Sequence, residues 1–74
     1  MKVNSEIDVK IDFGNRIREL RIERKWTQDD LADKSNISVR NISDIENGKV
    51  DCHLTTLYLL ANAFDISMAE LLNL

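Results

Sequence analysis

Apolar and polar residues alternate with a period of two from Lys2 to Ile11, interrupted only by the polar Ser5, and then the period changes. Val3, Ser5, Ile7, Val9 and Ile11 fall on one side, with Lys2, Asn4, Glu6, Asp8 and Lys10 on the other. A period of two predicts a strand with one apolar face. A lone strand beside a helical domain has nothing to pair with. Residues 1–11 are therefore expected to form an N-terminal arm, or to pair with the same strand of a second subunit. From Phe13 onward the spacing becomes helical, with Phe13, Ile17 and Leu20 at i, i+4 and i+7. This stripe predicts a first helix over residues 13–25, with Asp12 as its N-cap.

A short pattern then recurs as "WTQDDL", "ISVRNI" and "ISMAEL". In each, an apolar residue precedes a Ser or Thr, and another apolar residue follows four positions after the hydroxyl. Each reads as a helix start. Thr27, Ser38 and Ser67 cap orphan backbone N–H groups, worth about 1 kcal/mol apiece. Trp26 with Leu31, Ile37 with Ile42, and Ile66 with Leu71 stand at the staple positions, and Glu70 is placed to complete a capping box with Ser67. The starts predict helices over 28–35, 39–47 and 68–73. Between the last two, Leu54, Leu57, Tyr58, Leu60, Ala61 and Phe64 mark a broad apolar helix over 54–64, expected to be the central core helix. Asp51, Cys52 and His53 all remain candidates for its cap. The chain thus reads as an arm (1–11) and one compact all-α domain of five helices (12–74).

The link between the second and third helices is "SNI". So short a link forces a sharp turn, the geometry of a helix-turn-helix. Asn36 suits the left-handed backbone such a turn requires. Ala32 is small enough to let the third helix cross closely. With Ile42 at zero on a wheel of 100° per residue, Ile45 and Glu46 lie within about 60° of it, while Arg40 and Asp44 lie about 160° away. Arg40, Asp44 and Asn47 centre the exposed face, flanked by Val39, Asn41 and Ser43. Lys and Glu are nearly absent from it.

Such a helix fits the major groove of B-DNA. There Arg forks onto guanine, Asn pairs with adenine, Asp accepts from cytosine and Val meets the thymine methyl. The first turn usually makes base contacts, which favours Val39, Arg40 and Asn41. Asp44 either reads a base or orients Arg40 across one turn.

Charge limits this reading without removing it. The formal net charge is −3, yet all ten Lys and Arg residues lie before Val50, so any phosphate-facing surface comes from the first two-thirds of the chain. The length of 74 residues allows one domain. A domain this small buries only about 60% of the surface its unfolded chain exposes, so caps or dimerisation must support it. Cys52 is the only cysteine, and beside His53 it makes neither a disulfide nor a zinc site. No metal and no cofactor are expected. One His and one Cys without an acid–base cluster argue against an enzyme. With no long apolar run and no signal peptide, the expected setting is cytoplasmic and away from membranes.

Four motifs in series, "IRELR", "TQDDLA", "ISDIENG" and "LTTL", resemble the Xre family, the Cro and phage-repressor type of helix-turn-helix. The resemblance covers about residues 13–72. It implies a lambda-repressor-like fold and a sequence-specific regulator of transcription that binds double-stranded DNA. By position, Gln28 matches a glutamine that touches the DNA backbone and braces the recognition helix. Ser38, Val39, Arg40 and Asn41 match the start of that helix, and Asp44 a base-facing position. Asn47 and Lys49 match a phosphate-contacting loop, to which Ser43 is added as a backbone contact. Arg21 and Glu46 match a structural ion pair. The sequence departs from the family at Lys25 and Asn36, where Gly is usual, and at Cys52-His53, which replaces a common Pro-Ser.

The expected protein is a homodimeric repressor reading a near-palindromic operator. Its dimer surface is assigned to Met68, Leu71, Leu72 and Leu74, with the arm as second candidate. An alternative of another class is a module whose main contact is a partner protein, a toxin or an anti-repressor. Salt-dependent operator binding separates the two.

Overall fold

Residues 6–11 of the expected arm are helical, not a strand. The computed structural model describes residues 5–74, and within them Glu6–Glu23 form one continuous helix, α1. Ser5 caps it, its side chain accepting from the Asp8 N–H at 3.2 Å. Glu6 and Asp8 in the first turn favour the positive end of the helix dipole. The expectation of an arm over 1–11, and of Asp12 as the cap, is corrected for residues 5–11. Residues 1–4 lie outside the described residues.

Tertiary contacts explain why period-two alternation yields a helix here. Val9 and Phe13, one turn apart, line a shallow groove with Val50, Leu57 and Leu72. Ile11 packs on Gly48, whose φ of 70° and missing side chain allow the approach; a Cβ there would sit 3.0 Å from Ile11 Cγ1. Lys10 pairs with Asp51 at 3.6 Å. Packing against the segment after Glu46 overrides the local β pattern.

The remaining helices are α2 (Gln28–Ser35), α3 (Val39–Glu46), α4 (Leu54–Phe64) and α5 (Met68–Leu71). Among the described residues there is no strand. α2 and α4 coincide with the sequence expectation, while α5 stops two residues earlier. The caps differ in one detail. Thr27 and Asp30 form a reciprocal box, with bonds of 3.1 and 2.8 Å. At α5, Ser67 accepts from the Glu70 N–H, but its hydroxyl faces the Glu70 carboxylate, so the expected box there is only half made. The Cys52-His53 region leaves α4 capped by His53 without a side-chain bond.

The core draws on all five helices: Ile17 from α1, Leu31 from α2, Ile42 and Ile45 from α3, Leu60 and Phe64 from α4, and Leu71 from α5. α4 contributes less than its composition suggests. Leu60, Ala61 and Phe64 point inward, whereas Leu54 and Tyr58 are 72% and 54% exposed. A five-helix domain of this size has room for one stripe of α4, and Leu54 and Tyr58 fall beside it.

α1 ties the other helices down through its arginines. Arg16 donates to the Glu70 and Leu71 carbonyls at the end of α5, at 2.7 and 3.4 Å. Arg24 donates to the Phe64 carbonyl at the end of α4, at 2.9 Å. Arg18 and Arg21 reach the end of α3. Cations at helix C-termini satisfy the last carbonyls and complement the dipole. The close approach of α1 to α3 rests on Gly14. A Cβ there would collide with the Ile45 carbonyl oxygen and stand 2.7 Å from that of Glu46.

Gly14→Ala therefore forces α1 and α3 apart. The expected cost is about 1–3 kcal/mol, typical of overpacking. In a domain this size each kcal/mol lowers Tm by roughly 4–8 °C. Thermal unfolding followed by circular dichroism checks this, and an unchanged midpoint refutes the close-crossing account.

Candidate nucleic-acid interface

α2 and α3 meet through three residues. Asn36 ends α2 in the left-handed conformation, at φ 60° and ψ 30°. Ser35 is buried, and its hydroxyl accepts from the Ile37 N–H at 3.3 Å, fixing the bend from inside. Ile37 then enters the core, and Ser38 caps α3 by accepting from the Asn41 N–H at 3.1 Å. Ile42 and Ile45 are buried, so the opposite face of α3 must point outward.

That outer face carries the residues singled out by sequence. Val39, Arg40 and Asn41 are exposed in the first turn, and Ser43 and Asp44 are half-buried behind them. Asn47 and Lys49 are exposed beyond the helix end. The ion pairs among the described residues do not include Arg40 with Asp44. Arg40 is also the one arginine that does not hold helices together.

Gln28 opens α2 and turns inward. Its Nε2 donates to Glu46 Oε1 at 3.2 Å. Glu46 is 2% exposed and is the hub of the unit. Arg21 grips both its oxygens, Nε to Oε2 at 2.7 Å and Nη2 to Oε1 at 3.0 Å, and also donates to the Trp26 carbonyl at 2.8 Å. Arg18 adds a longer contact at 3.4 Å. One carboxylate thus joins α1, α2 and α3. Burial pushes the Glu46 carboxyl up, but the bonds from Arg21, Gln28 and Arg18 and the Arg21 charge outweigh it, leaving the group below its ordinary value.

The assigned dimer surface divides. Leu71 is fully buried within its own chain and leaves that surface, a correction to the expectation. The helix turn that seats Ile66 and Met68 directs Leu71 at the core. Leu72 is 44% exposed, and Met68 and Leu74 are partly buried. Sequence reading also missed Gly14, Ser35 and the ties that Arg16, Arg18 and Arg24 make to other helices. The repeated spacing of these arginines was the available signal.

Two short helices at a sharp turn, one braced inside and one with an open polar face, define a helix-turn-helix protein. Residues 17–71 match the family model described as Helix-turn-helix. The chain belongs to this family, in its Xre-like form. It is 41% identical over 61 residues to the competence pilus inhibition repressor of Acinetobacter baylyi, covering 82% of this chain and 56% of that protein. It is 40% identical over 58 residues to the immunity repressor protein of Bacillus phage phi105, covering 78% and 40%. The chain thus spans about half the length of these relatives. Its fold is similar to the crystal structure of the restriction-modification controller protein C.AhdI from Aeromonas hydrophila. There the TM-score is 0.80 and the identity 34%, covering 82% of this chain and 92% of that one.

The depressed Glu46 carboxyl links stability to pH. A folded-state value below the unfolded one stabilises the fold above the ordinary carboxylate range, and this is lost as pH falls through the folded value. Resistance of the native protein to urea is expected to fall from pH 7 to pH 3, and Glu46→Gln to show a smaller change over the same range. At pH 7 the variant leaves the partly buried Arg21 without its counter-charge, a loss below the roughly 3–5 kcal/mol of a fully buried pair. Parallel pH profiles for the two proteins overturn the assignment.

Proposed function

We propose that this protein is a sequence-specific, double-stranded DNA-binding regulator of transcription that reads the major groove with α3. The supporting observation is the outer face of α3: Val39, Arg40 and Asn41 stand exposed at its capped first turn while Ile42 and Ile45 anchor its back. Val39, Arg40, Asn41 and Asp44 read base edges. Ser38, Ser43, Asn47 and Lys49 contact the backbone. Gln28 both contacts a phosphate and, through Glu46, sets the angle of α3. Kinship with named repressors agrees with this reading.

The domain measures 32 × 23 × 23 Å, so its long axis spans about one turn of the duplex, roughly 34 Å. One recognition helix meets only a few base pairs. Two copies related by a two-fold axis extend the site to a near-palindrome with half-sites about 34 Å apart. Leu72, Met68 and Leu74 supply the dimer surface, and the outcome is repression.

Site selection from random duplexes gives the operator. Arg40→Ala is then expected to cost about 1–3 kcal/mol on the operator and to relax preference at one position. Gln28→Ala should weaken operator and scrambled duplex alike. Equal losses on both duplexes for Arg40→Ala would make it a phosphate contact. Absence of any duplex affinity at low salt would favour a protein-interaction module instead.

Leu72→Glu places a charge on the proposed dimer surface without touching the core. Sedimentation equilibrium should show a shift from dimer to monomer, with unchanged circular dichroism. A dimer of native strength in the variant excludes this surface.

A further inference from the structure

Arg18 lies on α1, outside the α2–α3 unit, and its guanidinium reaches the C-terminal end of α3. Nε is 3.4 Å from Glu46 Oε1, and Nη2 is 3.3 Å from the Glu46 carbonyl oxygen and 3.4 Å from Asn47 Oδ1. All three are long, since charge-assisted N–H···O bonds run near 2.7–2.9 Å. Arg21, on the same carboxylate, is held at 2.7, 2.8 and 3.0 Å through all three of its nitrogens. Arg18 Nη1 makes no hydrogen bond among the described residues. The Arg18 side chain is loosely tethered and keeps donors in reserve.

Charge adds to this geometry. One Glu46 carboxylate faces two guanidinium groups, so the cluster carries one positive charge more than it neutralises. The Glu46 side chain is 0% exposed and that of Arg21 15%, while that of Arg18 is 41% exposed. The surplus charge meets solvent at Arg18. There it stands beside Asn47, whose Nδ2 lies 3.5 Å from Ser43 Oγ. Arg21 and Gln28 keep both Glu46 oxygens bonded if Arg18 turns away, so its departure strands no buried charge.

We infer that Arg18 is a further phosphate-binding residue, whose guanidinium joins Asn47 on the DNA backbone at the C-terminal end of α3. This rests on the DNA-binding reading above. It assigns to α1 a contact that the helix-turn-helix unit does not itself supply.

The test measures binding to operator and scrambled duplexes between 50 and 200 mM salt for native protein, Arg18→Gln and Arg18→Lys. Losing one phosphate contact is expected to make the slope of log K against log salt shallower by about 0.9. The deficit of Arg18→Gln should then narrow about 3.5-fold across that salt range, by the same slope. The ratio of operator to scrambled affinity should hold, and Arg18→Lys should recover the native slope. A native slope in Arg18→Gln, with or without a lowered melting temperature, overturns the inference and leaves Arg18 a structural tie. If Arg18→Gln does not fold, the native protein decides. Its Arg18 Nε–H resonance should move on duplex addition while that of Arg24 stays, and an unmoved Arg18 signal overturns the inference. A native protein without affinity for any duplex removes the DNA-binding reading itself.

Discussion

The orientation of α3 depends on a single carboxylate. Glu46 has almost no contact with water, and a charge so placed is tolerable only when donors surround it. Arg21 comes from α1, Gln28 from the start of α2, and the carboxylate itself from the end of α3. Three helices must be correctly placed for the group to be satisfied. The ion pair is thus better understood as a gauge of geometry than as a source of stability. It fixes the angle at which the exposed side of α3 leaves the domain.

α1 and its C-cap residue supply ties elsewhere, and this changes the meaning of the chain's basic residues. Arg16, Arg18, Arg21 and Arg24 all meet carbonyls or the Glu46 carboxylate of other segments. A census of charge along the sequence counts them as surface. The fold counts them as fasteners, with Arg18 the loosest. What remains openly cationic near α3 is small, chiefly Arg40, Lys49 and the solvent-facing part of Arg18. On the proposed DNA-binding reading, recognition leans on groove chemistry more than on bulk attraction.

Much of this was legible in the sequence because local rules and packing agree. Hydroxyl caps marked the starts of α2, α3 and α5, and the brevity of "SNI" required the turn. The Ile42 and Ile45 positions decided which side of α3 faces out. Legibility failed where distant contacts decide. The alternation of residues 5–11 suggested a strand because nothing local announces that Ile11 will rest on Gly48, or Lys10 reach Asp51. Leu71 was taken as surface because an apolar tail looks the same whether its residues turn in or out. Lys25 and Asn36, which stand where the family usually has Gly, adopt φ of 60° nonetheless. The turns keep their shape with non-glycine residues in them, and the neighbouring helices hold that strain.

The brevity of α5 has a consequence of its own. Four residues cannot sustain a helix alone, because nucleation is costly and each later bond repays little. Its carbonyls are instead held by Arg16, more than fifty positions earlier in the chain. α3 and α4 depend on the same long helix in the same way. Fraying of α1 near its middle would release three helix ends together, with no smaller unit left able to persist. Such wiring favours an all-or-none melting transition, in which α1 and the distant α5 are lost as one.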